Sequence, residues 1–216
     1  MNILNLESLV DRLVLRLKEP LPGVTSHTKM SATAASGHRL RFKQNGDTKE
    51  GAVLILLYEE GDSVKFVLTQ RPDYNGTHGG QVSFPGGKKE ADDPDLIATA
   101  VREAEEEIGV KRDTVTVVGT LTEFFVGASN HMVLPVIGTV SQVPAFVPDA
   151  YEVAEIFTVP IEHLLSADRV KTTLLEVGKE RFKLNAPYFD FHDKIVWGAT
   201  AGMLSELKDI LLEFKV

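Results

Sequence analysis

Residues 102–110 read REAEEEIGV and place four glutamates within five positions of one short segment. On a helix, like charges three or four residues apart repel each other and destabilise the helix by roughly a few tenths of a kcal/mol per pair. Such a concentration of carboxylates therefore needs either water around it or a positive partner beside it. The residues on both sides of the segment indicate which of the two to expect.

The surrounding sequence predicts one helix that ends at Gly109. Asp93 suits the N-cap and Pro94 suits the first helical position, and glycine is favoured just after the last helical residue. Apolar residues recur at gaps of four, three and four and predict one buried stripe, formed by Ile97, Val101, Ala104 and Ile108.

Three glutamates are predicted to share the opposite face of this helix. At about 100° per residue, Glu103, Glu106 and Glu107 fall within about a third of a turn. Thr99 and Ala100 lie on the same face and carry no charge that neutralises them. One interpretation is a solvated acidic surface, which is the commoner role of a glutamate run. The other is a site for a divalent cation, with oxygen ligands at i, i+3 and i+4.

The composition of the whole chain limits the classes of function. The formal net charge is −8, so broad electrostatic capture of nucleic acid or of an anionic membrane is not expected. A phosphate-bearing substrate would instead need a bound cation. The chain has no cysteine, which excludes disulfides, thiolate metal sites and cysteine nucleophiles. No apolar run reaches the ~18 residues of a membrane span and no signal-like segment opens the chain, so a cytoplasmic location is expected.

The rest of the chain predicts one α+β domain over residues 1–216. An amphipathic helix is expected between Ile3 and Leu17, followed by an irregular extension to residue 50. Short apolar runs predict strands at 52–58, 64–69, 81–84, 115–125, 132–140, 154–159, 181–184 and 187–191. Helical spacing predicts a short helix at 161–165 and a last helix at about 197–214.

A glycine loop precedes the acidic helix. Residues 79–88 read GGQVSFPGGK, and two glycine pairs around a short strand are by themselves typical only of a bulge or tight turn. The P-loop, dinucleotide-binding, GxSxG and HExxH motifs do not occur in the chain.

Together with REAEEEIGV, this loop resembles the Nudix box, a glycine loop leading into a helix that ends R-E-U-x-E-E-x-G-U, where U is apolar. The fixed positions of that ending are occupied by Arg102, Glu103, Glu106, Glu107 and Gly109. The run at 67–88, VLTQRPDYNGTHGGQVSFPGGK, is similar to the signature of the coenzyme A pyrophosphatase branch of the Nudix hydrolases.

The chain also departs from these patterns at a few positions. Gly87 and Arg102 are 15 residues apart (102 − 87), one more than in the general box, and Asp93 stands where the box has glutamate. A longer loop with aspartate is what the coenzyme A branch tends to show. Pro72 and Gly76 differ from the branch signature, which prefers a small residue and an arginine at these positions.

The resemblance implies a fold, a chemistry and a metal. The fold is an α/β/α sandwich with a mixed sheet and a catalytic loop-helix-loop at residues 79–110. The chemistry is hydrolysis of a nucleoside diphosphate derivative with the help of Mg²⁺ or Mn²⁺. By position in the box, Glu103, Glu106 and Glu107 are the expected catalytic metal ligands. Arg102 would orient these carboxylates, or simply form a helix salt bridge with Glu106.

Residues outside the acidic helix receive expected roles as well. Gly86 and Gly87 would let the backbone approach the metal or a phosphate closely. Arg71 would hold a substrate phosphate or form a structural ion pair. His78 would contact substrate or only water.

The general base is left open by the sequence. A helix glutamate is one candidate, and Glu152 and Glu155 in a downstream loop are the others. The plainer interpretation of both loop residues is that they are ordinary solvated acids.

The expected reaction is cleavage of coenzyme A or acyl-coenzyme A into 3′,5′-ADP and (acyl) 4′-phosphopantetheine. One alternative is a Nudix hydrolase of ADP-ribose or of another dinucleotide or sugar nucleotide. Others are a Nudix-fold sensor that binds a nucleotide without cleaving it, and a structural protein with an acidic helix. The expected partner is a small nucleotide, with no nucleic acid and no membrane, and a homodimer is left open.

Overall fold

The computed structural model describes residues 5–38, 44, 46–73, 79–178 and 181–214. Its helices are α1 (Leu6–Arg16), α2 (Val24–His27), α3 (Leu96–Ile108), α4 (Ile161–Leu165) and α5 (Gly198–Glu213). Its strands are β1 (Thr33–Ala34), β2 (Lys49–Glu60), β3 (Ser63–Gln70), β4 (Val82–Ser83), β5 (Gly86–Lys88), β6 (Thr116–Thr120), β7 (Phe124–Val126), β8 (His131–Thr139), β9 (Glu155–Pro160), β10 (Val170–Val177), β11 (Phe182–Phe191) and β12 (Lys194–Trp197). Short 3₁₀ turns cover Thr28–Met30, Arg112–Thr114 and Ala167–Arg169.

Strand β2 is the centre of a mixed eight-stranded sheet. The order runs β4-β3-β2-β8-β6, with β5 also paired to β2, β7 to β8 and β9 to β3. β2 runs parallel to β8, and the other pairs are antiparallel. Parallel strands need a crossover connection, and the chain between β2 and β8 carries α3 on that crossover.

A smaller antiparallel sheet is built around β11. β10 lies along most of one edge of β11, and β1 and β12 pair with two separate parts of the strand. β12 leads directly into α5, so the small sheet is joined to the last helix.

Side chains on the two faces of β2 belong to two apolar cores because strand residues alternate in direction. Ile55 and Leu57 join one core with α1, α4, α5 and the small sheet. Leu54 and Leu56 join the other core with α3. These four side chains are fully buried, each contributing about 1.5–3 kcal/mol. Helices on both faces of a mixed sheet confirm the predicted α/β/α sandwich.

The start of α3 differs from the prediction, whereas its end is confirmed. The N-cap is Asp95, whose carboxylate accepts the Ala98 N–H at 2.8 Å, and not Asp93. The carboxylate of Asp93 is instead engaged by Arg102. Gly109 ends the helix with a φ of 73°, the left-handed conformation that glycine adopts without strain.

The buried face of α3 is rotated relative to the predicted stripe. Thr99 and Ala100 are fully buried, whereas Ile97 and Val101 are only half-buried. Glu107 is consequently buried as well, and its predicted place on the face away from the core was wrong. The apolar spacing predicted a helix correctly, but four apolar residues did not determine which side of it faces the sheet.

The predicted irregular extension between residues 25 and 50 contains regular structure. Residues 24–30 form α2 and a 3₁₀ turn, and β1 pairs with β11. Residues 39–43 and 45 lie outside the described part of the chain.

The segment before and within α2 is anchored to α5 by a fully buried carboxylate, Glu206. Glu206 accepts the Gly23 N–H at 3.0 Å and the Thr122 hydroxyl at 2.6 Å, and pairs with His27 Nε2 at 2.9 Å. One turn further along α5, Asp209 accepts Lys29 Nζ at 2.6 Å. Gly23, His27 and Lys29 are about 180 residues away from these carboxylates in sequence, and Thr122 is 84 residues away from Glu206, so local patterns did not predict the contacts.

Most other predicted elements are confirmed, but the strand predicted at 115–125 is two strands, β6 and β7. In the small sheet, the two short strands predicted at 181–184 and 187–191 are one continuous strand, β11, and neither β10 nor β12 was predicted. The expected N-terminal helix is present as α1, although residues 1–4 lie outside the described chain. None of the helices in the described ranges is long and apolar enough to span a lipid bilayer.

Candidate functional site

Strand β5 holds the glycine loop against the centre of the large sheet. Gly86 and Gly87 pair with Val53 and Ala52 of β2. A Cβ at Gly86 would overlap the Ala52 carbonyl oxygen and the Val53 Cα. The loop therefore approaches β2 more closely than a residue with a side chain allows.

Glu103 of α3 packs directly on this loop. A Cβ at Gly87 would lie 2.5 Å from the carboxyl carbon and from both carboxyl oxygens of Glu103. Arg102 Nη2 lies 3.0 Å from Glu103 Oε1. Burial raises the pKa of Glu103 above its ordinary value, and the neighbouring charge of Arg102 opposes that shift.

Glu107 lies one turn further along α3 and is 4% exposed. The Gly86 backbone N–H donates to Glu107 Oε2 at 3.2 Å. Burial raises the pKa of Glu107 to about 8, with further raising by the charges of Glu103 and Glu152. The Gly86 hydrogen bond and the charge of Arg71 act in the opposite direction.

Glu152 reaches the same place from the loop before β9. The Asp149 backbone N–H donates to the Glu107 carbonyl oxygen at 3.0 Å and ties this loop to the end of α3. Glu103, Glu107 and Glu152 each offer a carboxylate oxygen, and the three oxygens lie within 4.8 Å of one another. We call these residues the carboxylate triad.

The donor set of the carboxylate triad fits a hard divalent cation. All three donors are oxygens, the class that Mg²⁺ and Mn²⁺ prefer over nitrogen or sulfur. Three carboxylates this close repel one another. The burial of Glu107 and this repulsion together raise the pKa of Glu107. A doubly charged ion would remove the repulsion and favour the ionised form of each group.

Side-chain hydrogen bonds of Arg102 hold the glycine loop and α3 in a fixed arrangement. Its Nε and Nη2 donate to the two carboxylate oxygens of Asp93 at 2.9 and 3.0 Å, and Nη2 also donates to the Lys88 carbonyl oxygen at 3.0 Å. The paired hydrogen bonds hold the pKa of Asp93 well below its usual range. Arg102 thus joins the end of β5, the loop before α3 and Glu103 in one network.

Glu106 points away from the carboxylate triad. It is half-exposed, pairs with Arg102 Nη1 at 2.8 Å and lies 3.5 Å from Arg112 Nη2. Of the three glutamates predicted as ligands, the structure brings Glu103 and Glu107 together and adds Glu152. Glu106 remains a predicted ligand from its position in the motif.

Arg71 follows β3 and lies beside the carboxylate triad. Its backbone N–H donates to the Gln81 carbonyl oxygen at 3.0 Å. Its Nε is buried and makes no hydrogen bond within the described residues. Burying a guanidinium nitrogen without an acceptor is costly, and an anionic ligand at the triad would supply an acceptor for its N–H. His78, the other predicted substrate contact, lies outside the described residues.

Two features of the site could be found only in part from sequence. Asp93 was misassigned as a helix cap, although its spacing from Gly87 marks the acidic position of the motif. Glu152 was only one of two candidate loop acids, because no local pattern reports the Asp149–Glu107 backbone contact. The other candidate, Glu155, pairs with Lys194 at 2.7 Å and lies outside the triad.

We expect Gly87→Ala to abolish most metal-dependent activity while the protein stays folded. The added Cβ would push the Glu103 carboxylate out of the triad, because all three carboxyl atoms lie 2.5 Å from it. Isothermal titration with Mn²⁺ should show affinity at least roughly tenfold weaker, within the 10–100-fold typical of altered metal-site support. Gly46→Ala is the control, since a Cβ added there would meet no atom of the described residues within 4 Å. Unchanged Mn²⁺ affinity in Gly87→Ala would contradict the assigned contact.

Comparison with known proteins places this site in a family context. Residues 48–177 match the NUDIX domain family. The chain is 38% identical over 182 residues to Nudix hydrolase 15, mitochondrial, of Arabidopsis thaliana, covering 80% of this chain and 61% of that protein. The chain thus spans less than two thirds of the length of that plant relative.

Two further similarities concern bacterial proteins. The chain is 31% identical over 202 residues to an uncharacterized Nudix hydrolase, NudL, of Yersinia pestis (strain Pestoides F), covering 94% of this chain and 92% of that protein. Its fold is similar to the crystal structure of the Nudix hydrolase RenU of M. smegmatis, with a TM-score of 0.54 at 19% identity over 86% of this chain and 96% of that one.

Proposed function

The chain belongs to the Nudix hydrolase family, and we propose that it is a divalent-metal-dependent hydrolase of a pyrophosphate bond in a nucleoside diphosphate derivative. The observation that carries this proposal is the convergence of Glu103, Glu107 and Glu152 within 4.8 Å. A net charge of −8 would repel a diphosphate, so a cation between protein and substrate is needed.

We assign the following roles to the residues of the site. Glu103, Glu107 and Glu152 would hold Mg²⁺ or Mn²⁺, which when bound polarises the phosphoryl oxygens and lowers the pKa of a bound water. Glu106 would join them as a ligand if Arg102 and Arg112 release its carboxylate. Glu152, the most exposed of the three, would act as general base, taking a proton from the attacking water with the carboxylate oxygen that does not bind the metal. Arg102 is a positioning residue that holds Glu103.

Arg71, the glycine loop and His78 are proposed to bind substrate. The Nε of Arg71, which has no hydrogen-bond partner in the described part of the chain, would donate to a phosphate oxygen of the substrate. A Cβ at Gly86 would overlap β2 and a Cβ at Gly87 would overlap the Glu103 carboxylate, so glycine at both positions lets the loop backbone lie directly beside the carboxylates, where it would approach the metal or a phosphate. His78 keeps its proposed contact on the basis of its place in the signature run at 67–88.

Coenzyme A or an acyl-coenzyme A is the proposed substrate, giving 3′,5′-ADP and the (acyl) 4′-phosphopantetheine. The support for it is the signature-like run at 67–88 and the longer loop with Asp93. ADP-ribose is the second candidate, because the same triad would serve any dinucleotide or sugar nucleotide. A cytoplasmic location stays a prediction from sequence, as does the single domain.

The test is a product assay with four substrates. Coenzyme A, acetyl-coenzyme A, ADP-ribose and NADH are incubated with the protein with and without Mg²⁺ or Mn²⁺, and products are identified by mass. We expect metal-dependent release of 3′,5′-ADP from coenzyme A and no turnover after chelation. Faster turnover of ADP-ribose would move the assignment to the second candidate, and turnover without any metal would refute the proposed chemistry.

Arg71→Ala is expected to raise the KM for the diphosphate substrate by roughly 10–100-fold, because a charged hydrogen bond contributes about 1.5–3 kcal/mol. The metal affinity should stay near that of the wild type, since Arg71 belongs to none of the proposed metal ligands. Arg12→Ala, an exposed arginine of α1 whose side chain donates to the Phe214 carbonyl oxygen, is the matched control. Unchanged KM in Arg71→Ala would leave Arg71 with a structural role only.

A further inference from the structure

Strand β10 is the outer strand of the small sheet. It pairs with β11 along all 8 of its residues, from Val170 opposite Phe189 to Val177 opposite Phe182, and no bulge interrupts the register. No other strand of the described chain pairs with β10. Its second edge therefore faces away from the sheet.

A contact next to β1 shows which backbone groups of β10 point to that outer edge. The Ala35 N–H donates to the Lys183 carbonyl oxygen at 2.9 Å, so the backbone of Lys183 faces away from β10. Lys183 lies opposite Glu176, and hydrogen-bonded and non-hydrogen-bonded pairs alternate along antiparallel strands. The N–H and C=O groups of the even-numbered β10 residues therefore point outward. These residues are Val170, Thr172, Leu174 and Glu176.

The outward groups are open to a partner. Apart from the ladder between β10 and β11, no backbone hydrogen bond among the described residues involves them. The side chains of the same residues are exposed, and the two apolar ones, Val170 and Leu174, are 40% and 52% exposed. A row of unpaired backbone groups flanked by apolar side chains is a template for a further strand.

β10 also lacks the features that usually keep a strand edge from pairing. Proteins protect such edges with proline, bulges or unpaired charges. β10 contains no proline, and its middle reads TTLL. Lys171 pairs with Asp190 and Glu176 pairs with Arg181 in the same subunit, so both charges of the strand are already compensated.

The other strand edges of the described chain are less open. β1, β4, β5, β7 and β12 are no longer than four residues, and β2, β3, β8 and β11 pair on both sides. β6 has an irregularity between Val117 and Gly119, and Leu17 packs over Gly119. On β9, the Thr158 carbonyl oxygen lies 3.1 Å from His192 Nε2. A strand from a second copy that adds to β10 is therefore β10 itself.

An antiparallel second copy of β10 matches the edge when Thr173 faces Thr173 across a twofold axis. Val170 then lies opposite Glu176 of the second copy, and Thr172 lies opposite Leu174. Each of these pairs joins two residues with outward backbone groups, so every outward N–H and C=O of both strands is hydrogen-bonded. The two Thr173 side chains meet in a close, non-hydrogen-bonded pair, in which threonines stabilise each other.

We propose that the protein forms a homodimer in which β10 of each copy pairs antiparallel with β10 of the other, centred on Thr173. In this register Lys171 lies opposite Leu175 of the second copy, so like charges do not face each other. Because both copies use the same edge, the interface closes after two subunits. The two small sheets become one continuous sheet. The proposal does not depend on the hydrolase assignment.

A cysteine at position 173 tests the register directly, because the chain has no cysteine and a disulfide can form only between copies. Cα atoms in a non-hydrogen-bonded pair lie about 4.5 Å apart, within the ~4.4–6.8 Å that disulfides allow. We expect Thr173→Cys to form a covalent dimer on mild oxidation, measured by non-reducing electrophoresis. Leu175→Cys, on the same side of β10, is the matched control. Its two copies would lie roughly 14 Å apart and should stay unlinked.

Sedimentation velocity from nanomolar to high micromolar concentration measures the assembly without a cross-link. We expect a mass near twice the 23.7 kDa of one chain at high concentration. Leu174→Lys should raise the dimer dissociation constant about tenfold, because the two added charges lie diagonally across the interface and repel. Asn185→Lys is the control, since Asn185 is exposed and lies opposite Leu174 on β11, one strand away from the interface. It should leave the dissociation constant unchanged.

Three results would overturn the proposed dimer. They are a monomer at every concentration, equal cross-linking of Thr173→Cys and Leu175→Cys, and equal dissociation constants for Leu174→Lys and Asn185→Lys. Circular dichroism establishes that each variant is folded. Both lysine variants change exposed side chains, so this pair decides the question if a cysteine variant does not fold.

Discussion

Glu107→Gln is expected to reduce pyrophosphate hydrolysis on the order of 10³-fold, because a bound metal stabilises the transition state by several kcal/mol and Glu107 is a proposed ligand of that metal. Glutamine has nearly the same shape, and its carbonyl oxygen can still accept the Gly86 N–H. The fold should therefore survive. Steady-state kinetics at saturating Mn²⁺ measures the loss.

The same variant should change the pH dependence of stability in the metal-free protein. Glu107 has a pKa of about 8 in the folded state against 4.5 for the ordinary group. The folded protein therefore holds a proton that the unfolded chain has lost, and stability contributed by this group falls as pH rises from 4.5 to about 8. Glu107→Gln should remove this decline, measured by urea unfolding at several pH values.

Glu105→Gln is the matched control on the same helix. Glu105 pairs with Arg112 at the surface and is absent from the triad. It should keep activity within about a factor of two and leave the pH dependence unchanged. Activity of Glu107→Gln within tenfold of wild type, or an unchanged pH slope, would refute the role of Glu107.

Arg102→Met is expected to lower the free energy of unfolding by about 3–5 kcal/mol, the usual cost of leaving buried charges without their partner. The side chains of Arg102 and Asp93 are 9% and 6% exposed, and both Asp93 and Glu103 would lose their cation. Metal affinity should fall as well, because Glu103 would lose the ion pair with Arg102 that holds its carboxylate. Urea unfolding and Mn²⁺ titration measure the two effects.

Arg112→Met is the control that tests whether the loss of stability in Arg102→Met depends on the burial of the arginine. The Arg112 side chain is 50% exposed and pairs with Glu105 and Glu106 of α3. Since exposed ion pairs contribute about 0–1 kcal/mol, this variant should unfold within about 1 kcal/mol of wild type. Equal losses in the two arginine variants would contradict the assigned importance of the buried network.

The sequence predicted the large sheet and the acidic helix well because both follow local periodicity. β2 and β3 have apolar runs of ordinary strand length, and Gly109 is a strong helix stop. The inward rotation of Glu107 was not predictable in this way. Its position depends on how α3 packs on β2 and β5, which is a tertiary property.

The remaining features that the sequence did not predict depend on partners that are distant in the sequence. Residues 24–30 read as a polar linker because the acceptor of their buried groups, Glu206, is far away in sequence. β10 escaped prediction because its alternating exposure leaves few apolar residues in a row. The Nudix-box resemblance named Glu103, Glu106 and Glu107 as expected ligands, and the structure brings Glu152 beside Glu103 and Glu107.

The anchoring of Gly23 and His27 by Glu206 has a consequence for biosynthesis. The two contacts span 183 and 179 residues, nearly the whole length of the chain. A ribosome releases residues 23–27 long before α5, so this segment must wait for a partner that is translated about 180 residues later. We therefore expect the nascent chain to finish folding only once α5 has left the exit tunnel.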